Sequence, residues 1–178
     1  MTVACTSQLE PAQKMLGDVT AMMAEVSADA SAMVPEKYAE VQRQIDELHA
    51  RFDHEDYAAV IAQGPSLLAA VHGLGLEAAA RKVTLAQQLN AGWAQRASGL
   101  PEEFAAIERQ LDFLAKPANR KAAAGIDVSA ARNAERDAVS LWSKGQAAYA
   151  AGNLPEAVQT ADAVQARADA IKAAIHLR

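Results

Sequence analysis

The sequence has little of what marks disulfide-bonded or β-sheet proteins. Its 178 residues include one cysteine, two tryptophans, three tyrosines and three phenylalanines. A single cysteine excludes an intramolecular disulfide. Valine, isoleucine, threonine and aromatic residues never alternate with polar residues over more than a few positions, so the pattern does not predict β-strands.

The charge and hydropathy patterns lack the features of nucleic-acid-binding and membrane-spanning proteins. The formal net charge is -5, and lysine and arginine are spread along the chain rather than clustered. Without a basic stripe, nothing replaces the counterions around a phosphate backbone, which disfavours nucleic-acid binding. No uninterrupted run of about 18 apolar residues occurs, so we expect no transmembrane helix.

Motifs for catalysis and cofactor binding are also missing. The sequence has no Gly-x-Ser-x-Gly nucleophile elbow and no phosphate-binding glycine loop. Asp46 and His49 have the acid-x-x-His spacing of di-iron bundles, but those sites need a second such pair, which the sequence lacks. His49, Asp53, His54 and Asp56 crowd one turn, where solvation is the expected state and cation binding the alternative. We therefore predict a protein that is not an enzyme and has no cofactor or metal site.

Alanine is the residue that the sequence has in abundance. Its 44 alanines supply about half of the 51% of residues that are hydrophobic. Alanine has the highest helix propensity and lets helices pack closely. The composition therefore predicts an all-α fold of about six to seven helices, in antiparallel hairpins that form an elongated bundle. At this length we expect one all-α domain over residues 1–178.

Apolar residues at three- and four-residue steps mark the individual helices. We expect helices at approximately residues 11–33, 36–52, 56–98, 101–116, 128–150 and 154–176. Gly64-Pro65 should kink the third helix, for which an end at Gly73 is the alternative, and Ser98–Glu102 should separate it from the fourth. Residues 1–8 are expected to be a flexible N-terminal segment, and residues 117–127 the longest internal connection.

Part of the sequence repeats faintly at a constant offset of 97 residues. Each copy predicts two amphipathic helices joined by a tight polar turn. In the second copy, Gly152 and Asn153 tolerate a positive φ at the turn, and Pro155 suits the first turn of the last helix. The matched pairs are Ile45/Trp142, Phe52/Tyr149, Asp56/Asn153, Tyr57/Leu154, Ile61/Val158, Leu67/Val164 and Leu74/Ile171.

The second copy resembles the helical hairpin of tetratricopeptide repeats. The residues that carry the resemblance are Gly145, Tyr149, Gly152, Asn153, Leu154 and Ala157. The first copy has Leu48 and Val60 at the positions where that family has small residues, and the two copies are not adjacent. The resemblance therefore implies a related hairpin geometry and not a tandem array.

Residues 81–175 are also similar to a group of Ala-rich helical bacterial envelope proteins, most of them uncharacterised. The similar segments are Leu89-Asn90-Ala91-Gly92-Trp93, Leu100-Pro101-Glu102, Ile107, Leu114, Trp142, Ala151-Gly152-Asn153-Leu154 and Ala157-Val158. The resemblance implies a helical fold and a location in the bacterial cell envelope. It brings no catalytic residues.

Cys5 stands at the end of a segment that resembles a bacterial lipobox. In Val3-Ala4-Cys5 small residues precede a cysteine, which in lipoproteins is lipidated and becomes the mature N-terminus. The charged and apolar parts of a signal peptide are not among the printed residues, so this interpretation requires a longer precursor. We expect a periplasmic protein that meets the membrane only through a lipid anchor at Cys5. The alternative is an ordinary thiol in a cytoplasmic protein.

These patterns lead to two main hypotheses about function. The hairpin repeat and the missing catalytic motifs favour a non-enzymatic helical envelope protein that acts as a protein-interaction module or scaffold. The alternative is a carrier of a small apolar ligand, held between helices in a pocket lined by Trp93, Phe104, Trp142 and Tyr149. The competing interpretation of both tryptophans is that each anchors the core of its helix pair. A structural spacer is a third hypothesis.

Overall fold

Helices make up nearly all of the described protein. The computed structural model describes the backbone of residues 6–177 and the side chains of residues 8–177. No strand occurs within that range, and the all-α class predicted from composition is confirmed. The helices are α1 (Thr6–Met33), α2 (Pro35–Asp53), α3 (Tyr57–Ala115), α4 (Val128–Ala150) and α5 (Leu154–Ala174), with a 3₁₀ turn at Pro117–Asn119.

The structure has fewer helices than the six to seven expected. Residues 6–177 form five α-helices, because α3 continues through the predicted break at Ser98–Glu102. Leu100 is fully buried just before Pro101, and the apolar stripe continues beyond it at Phe104 and Ile107. A proline inside a helix costs about 3 kcal/mol, whereas each large apolar side chain that the stripe buries contributes about 1.5–3 kcal/mol. Burial of several such side chains therefore favours one continuous helix.

Helix α3 is also continuous at its earlier glycine and proline residues. Its helical assignment has no gap at Gly64, Pro65 or Gly73, so the alternative of an end at Gly73 is wrong. Helix α1 begins at Thr6, before the expected start at Pro11. Residues 1–5 of the segment predicted to be flexible lie outside the described residues.

Helix α3 contains a stretch that is long and apolar enough to cross a membrane by length and composition alone. Its mean hydropathy over an 18-residue window is 1.4, and no other helix in the described part of the chain meets this criterion. Buried residues make up 28% of that window, which is the pattern of a helix with one packed face. Core helices of soluble proteins pass the same test, so the stretch is weak evidence for a membrane span. No such span was predicted from the sequence.

The chain divides after Leu85 into two compact units, each with its own apolar core. Unit 1 (residues 1–85) packs α1, α2 and the first part of α3, and its fully buried large side chains are Val19, Leu48, Val60 and Val71. Unit 2 (residues 86–178) packs the rest of α3 with α4 and α5, and its fully buried large side chains are Leu100, Ile107, Leu111, Val164 and Ile175. The expectation of a single domain over residues 1–178 stays a prediction.

The 97-residue repeat corresponds to two hairpins with one pattern of burial. The first hairpin is α2 with the start of α3, and the second is α4 with α5. Every buried residue between Val34 and Ala78 has a buried partner 97 positions later, and the reverse also holds. The pairs are Val34/Ala131, Val41/Ala138, Ile45/Trp142, Leu48/Gly145, Val60/Ala157, Gly64/Ala161, Leu67/Val164, Val71/Ala168, Leu74/Ile171 and Ala78/Ile175. Both helix pairs expected from the repeat therefore carry the same pattern of buried positions.

A second offset, of 81 residues, relates α1 to the last part of α3. Val19 and Ala30 of α1 are fully buried, and so are Leu100 and Leu111 at the matching positions. The offset is 16 residues smaller than 97, and 11 of these come from the connections, because one residue joins α1 to α2 whereas 12 residues, 116–127, join α3 to α4. Each unit is therefore a three-helix bundle of the same design, in which α3 serves as the third helix of unit 1 and the first helix of unit 2.

The turns of the two hairpins share one geometry. Glu55 and Gly152 take the left-handed conformation, with φ of 61° and 79°. The next residues, Asp56 and Asn153, donate their backbone N–H to the carbonyl five residues earlier at 2.9 Å in both turns, as in a Schellman motif. Their side chains cap the following helix by accepting from the backbone N–H three residues on, at 3.3 and 3.4 Å. Both hairpins thus stop one helix and start the next in the same way.

Gly75 lets α1 pack closely on α3 in unit 1. A Cβ atom at Gly75 would lie 2.8 Å from Cγ1 of Val26. Gly64 lies three helical turns earlier on the same face and makes a similar close approach to Met15. Glycine weakens a helix but has no Cβ, so both positions exchange helix propensity for close contact between helices.

Replacing Gly75 by alanine should make unit 1 less stable than the same replacement at Gly73. A Cβ at Gly73 meets no described atom within 4 Å. Gly73→Ala should therefore stabilise the protein by about 1 kcal/mol through helix propensity alone. Overpacking against Val26 should leave Gly75→Ala about 1–3 kcal/mol less stable than Gly73→Ala. Urea unfolding measures both, and equal stability of the two variants would contradict the close packing.

Introducing glycine at one left-handed turn position and removing it from the other should change the free energy of unfolding in opposite directions. A residue with a Cβ costs about 1–2 kcal/mol in the left-handed conformation. Glu55→Gly should therefore raise the free energy of unfolding by roughly 1 kcal/mol, and Gly152→Ala should lower it by a similar amount. Urea denaturation of both variants checks this, and changes of the same sign would show that the turns differ.

Candidate functional site

Three aromatic rings stack on one another in unit 2. Trp93 of α3 stacks on Trp142 of α4, with ring centroids 4.9 Å apart and an interplanar angle of 18°. It also stacks on Tyr149 of α4, at 4.7 Å and 8°. Trp142 and Tyr149 lie two turns apart on one face of α4, and Trp93 is the member common to both pairs. The stack therefore joins α3 to the C-terminal half of α4.

Gly145 makes room for the indole of Trp93. A Cβ at Gly145 would lie 3.6 Å from that ring and 3.2 Å from the Thr160 side chain. Both tryptophans are only 7% exposed, and the half-exposed Tyr149 donates its hydroxyl hydrogen to Oδ1 of Asn90 at 3.3 Å. The rings thus fill the space between the helices, as aromatic core anchors do.

The predicted ligand pocket of Trp93, Phe104, Trp142 and Tyr149 is brought together only in part. The first, third and fourth of these residues are in direct ring contact. Phe104 stacks on none of them within residues 8–177 and instead lines a separate surface cavity of 450 Å³, beside Glu135. These positions favour the interpretation of the tryptophans as core anchors. A ligand pocket at the four residues stays a prediction.

A surface groove of 540 Å³ lies between α4 and α5 of unit 2. Gly125–Asp127, from the connection before α4, contribute to its wall. We call this surface the α4/α5 groove; its buried floor includes Ala131 and Ile171, and its sides include Ala130, Ala134, Ala170 and Ala174. Because alanine side chains are short, the groove offers an apolar surface close to both helix backbones.

Three charged side chains also line the α4/α5 groove. Asp127 caps α4, where its carboxylate accepts a hydrogen bond from the backbone N–H of Ala130 at 2.8 Å. Asp137 and Arg167 are exposed, and neither forms an ion pair with another described side chain. Two carboxylates and one guanidinium leave this surface with a net negative charge.

The charged residues of the first hairpin turn have structural roles. Asp56 caps α3, and its carboxylate lies 3.5 Å from the Arg51 guanidinium. His49 is half-buried, with Nε2 3.3 Å from Oγ1 of Thr20. From residue 6 to residue 177, no group of three or more His, Cys, Asp or Glu side chains is placed to hold a metal ion.

Lys172 of α5 bridges two carboxylates in unit 2. Its Nζ lies 2.8 Å from Glu103 and 2.9 Å from Asp169. Hydrogen bonds to Glu103 and Asp169 raise the pKa of Lys172, and the bond from Lys172 lowers the pKa of Asp169. Burial, followed by repulsion from Glu108, raises the pKa of Glu135. These ion pairs, the Lys172 network, join α3 to α5.

The α4/α5 groove was not predicted from the sequence. Its signal was present, because alanine recurs at four-residue steps at Ala130 and Ala134, and again at Ala170 and Ala174. In a chain with 44 alanines, such a step does not distinguish an exposed groove from a core stripe. Only the packing of the helices shows which alanines stay uncovered.

Comparisons with known proteins add no relative. No protein-family model matches the sequence, and no curated protein or solved structure is significantly similar to the chain. The similarity to bacterial envelope proteins and to tetratricopeptide hairpins therefore stays a prediction. Cys5, the predicted lipidation site, lies outside the described residues.

Proposed function

We propose that the protein is a non-enzymatic helical module that binds another protein or scaffolds an assembly. The observation that carries this proposal is the α4/α5 groove, a cavity of 540 Å³ whose floor and sides are lined mainly by alanine. Grooves between helices are common docking sites for partner helices. The missing nucleophile and phosphate-binding motifs support the non-enzymatic part of the proposal.

The packing of unit 2 supports a preformed binding surface. Its aromatic stack and the Lys172 network hold α3 against α4 and α5 on the core side of the hairpin. The sides of the α4/α5 groove at Ala130, Ala170 and Ala174 remain exposed. A partner would therefore bind a surface that is already formed, which lowers the entropic cost of binding.

A carrier of a small apolar ligand is the second candidate. The volume of the α4/α5 groove falls within the range of roughly 300–1,000 Å³ that is typical of ligand sites. Such sites enclose most of the ligand surface, whereas Ala130, Ala170 and Ala174 are open to solvent. This openness favours a protein partner over a small molecule.

We also propose a location in the bacterial cell envelope, with a lipid on Cys5 as the anchor. The Val3-Ala4-Cys5 sequence and the resemblance to envelope proteins support this location. Mass spectrometry of the mature protein from its own cells should find a lipid-modified cysteine. An unmodified thiol would remove the anchor from the proposal.

A pull-down from bacterial envelope extracts tests the proposed binding function. The bait is the full chain, and the control is a variant of equal thermal stability in which exposed charged residues are shuffled among surface positions. We expect at least one protein to be enriched about tenfold over the control and then to bind the purified chain directly. Equal recovery of every protein by bait and control would count against an interaction module.

A further inference from the structure

The α4/α5 groove has a smaller counterpart in unit 1, which an ion pair spans. A smaller cavity, of 320 Å³, lies between α2 and α3. Four of its lining residues match residues of the α4/α5 groove at the 97-residue offset: Met33/Ala130, Val34/Ala131, Lys37/Ala134 and Glu77/Ala174. The two cavities therefore occupy the same position in the two copies of the hairpin.

An ion pair spans the unit 1 cavity. Lys37 of α2 donates a hydrogen bond from Nζ to Glu77 of α3, so one long side chain from each helix reaches across the space. The aliphatic stem of a lysine covers apolar surface while its ammonium stays in water. The first copy thus has a basic side chain with an aliphatic stem at the position that Ala134 holds in unit 2.

The groove in unit 2 differs from the unit 1 cavity in its side chains and in the connection that borders it. Ala134 and Ala174 replace the two members of the ion pair. The connection at residues 116–127 is much longer than its counterpart in unit 1, and its end adds Gly125–Asp127 to the wall. The cavity volume is 320 Å³ in unit 1 and 540 Å³ in unit 2.

The shape and charge of the groove indicate the partner. Its α4 side runs from Asp127 to Asp137, about 15 Å at 1.5 Å per residue, which matches roughly three turns of a helix. Short alanine side chains permit a helix from another protein to approach α4 and α5 closely. Two carboxylates against one guanidinium, on a chain of net charge -5, favour a cationic partner.

We propose that the α4/α5 groove binds a basic amphipathic helix of a partner protein, whose aliphatic side chains fill the space above Ala134 and Ala174. Lysine or arginine residues at the edge of its apolar face meet Asp127 and Asp137. This inference rests on the proposed interaction function and specifies the partner's chemistry.

Synthetic helices of defined charge test the proposal. The probe is a fluorescent peptide of about 18 residues, long enough to be helical, with leucines on one face and lysines beside them. One control peptide carries glutamate in place of lysine, and another has the probe's composition with the leucines dispersed. Fluorescence anisotropy with the full chain should show binding of the basic amphipathic probe at least tenfold tighter than of either control. Absent or equal binding of the three peptides would overturn the proposal.

Two variants locate the binding in the groove. The double variant Ala134→Lys/Ala174→Glu transplants the ion pair of unit 1 and should weaken binding of the probe at least tenfold. Lys37→Ala/Glu77→Ala makes the reverse change in unit 1 and should not weaken it. Circular dichroism checks that both variants melt like the unaltered chain. We call Ala134→Lys/Ala174→Glu the closed variant. If its affinity for the probe is unchanged, the probe binds elsewhere and the proposal is overturned.

A charge-reversal variant keeps the test decisive if the double variant does not fold. Asp137 is exposed, so Asp137→Lys leaves the core intact. It should reduce the preference for the basic probe over the acidic peptide at least fivefold. An unchanged preference would contradict the assigned role of the acidic rim.

The inference about the groove and the proposed interaction function can be tested separately. Analytical ultracentrifugation tests for a second copy of the chain: a dimer that Ala134→Lys/Ala174→Glu dissociates would replace the partner helix as the occupant and overturn the inference. If envelope partners bind the closed variant as well as the unaltered chain, the groove inference fails while the interaction function stands. If neither bait captures a partner, the proposed function fails, and the probe peptides still decide the chemistry of the groove.

Discussion

The structure depends on the close packing of one apolar stripe per helix within a three-helix unit. No polar or charged side chain is buried in the described part of the chain, so apolar contact has no buried polar network to assist it. Alanine and glycine bring the helix backbones together, and a few large side chains fill the remaining space. Because the cores contain so few aromatic rings, the positions of the small residues decide where helices can cross.

The same design is used twice, and the copies differ most at the ends of unit 2. Trp93, Trp142 and Tyr149 have Ala12, Ile45 and Phe52 at the matching positions, so the aromatic stack belongs to unit 2 alone. The α4/α5 groove lies toward the other end of the hairpin, where the long connection meets α4. One end of unit 2 is thus reinforced, and the other is left open. This difference is the basis for assigning the binding function to unit 2.

Much of the fold could be predicted from the sequence, because local signals and burial agree. The 97-residue repeat predicted both hairpins, and Gly152 and Asn153 predicted the second turn. The break at Ser98–Glu102 was wrong because glycine and proline are local signals, whereas burial of the stripe around Leu100 depends on helices distant in sequence. The 81-residue repeat was missed because its partners share burial and not side-chain type, as in Ala30 and Leu111.

The candidate site was less predictable than the fold. Aromatic residues drew attention to Trp93 and Trp142, but large rings fill a core as readily as they line a pocket. The groove consists of alanines whose exposure depends on which faces the other helices cover. Exposed and buried alanines are indistinguishable in the sequence, so only the three-dimensional arrangement shows the groove.

Amide hydrogen exchange along α3 is the decisive experiment on this architecture. One continuous helix, α3, contributes side chains to the cores of both units. The residues from 79 to 85 are all exposed, whereas Val71 and Ile107 are fully buried on either side. We expect slow exchange around Val71 and from Leu100 to Ile107, separated by a faster segment near residues 79–85. Fast exchange across residues 98–104, or uniform protection along the whole helix, would contradict it.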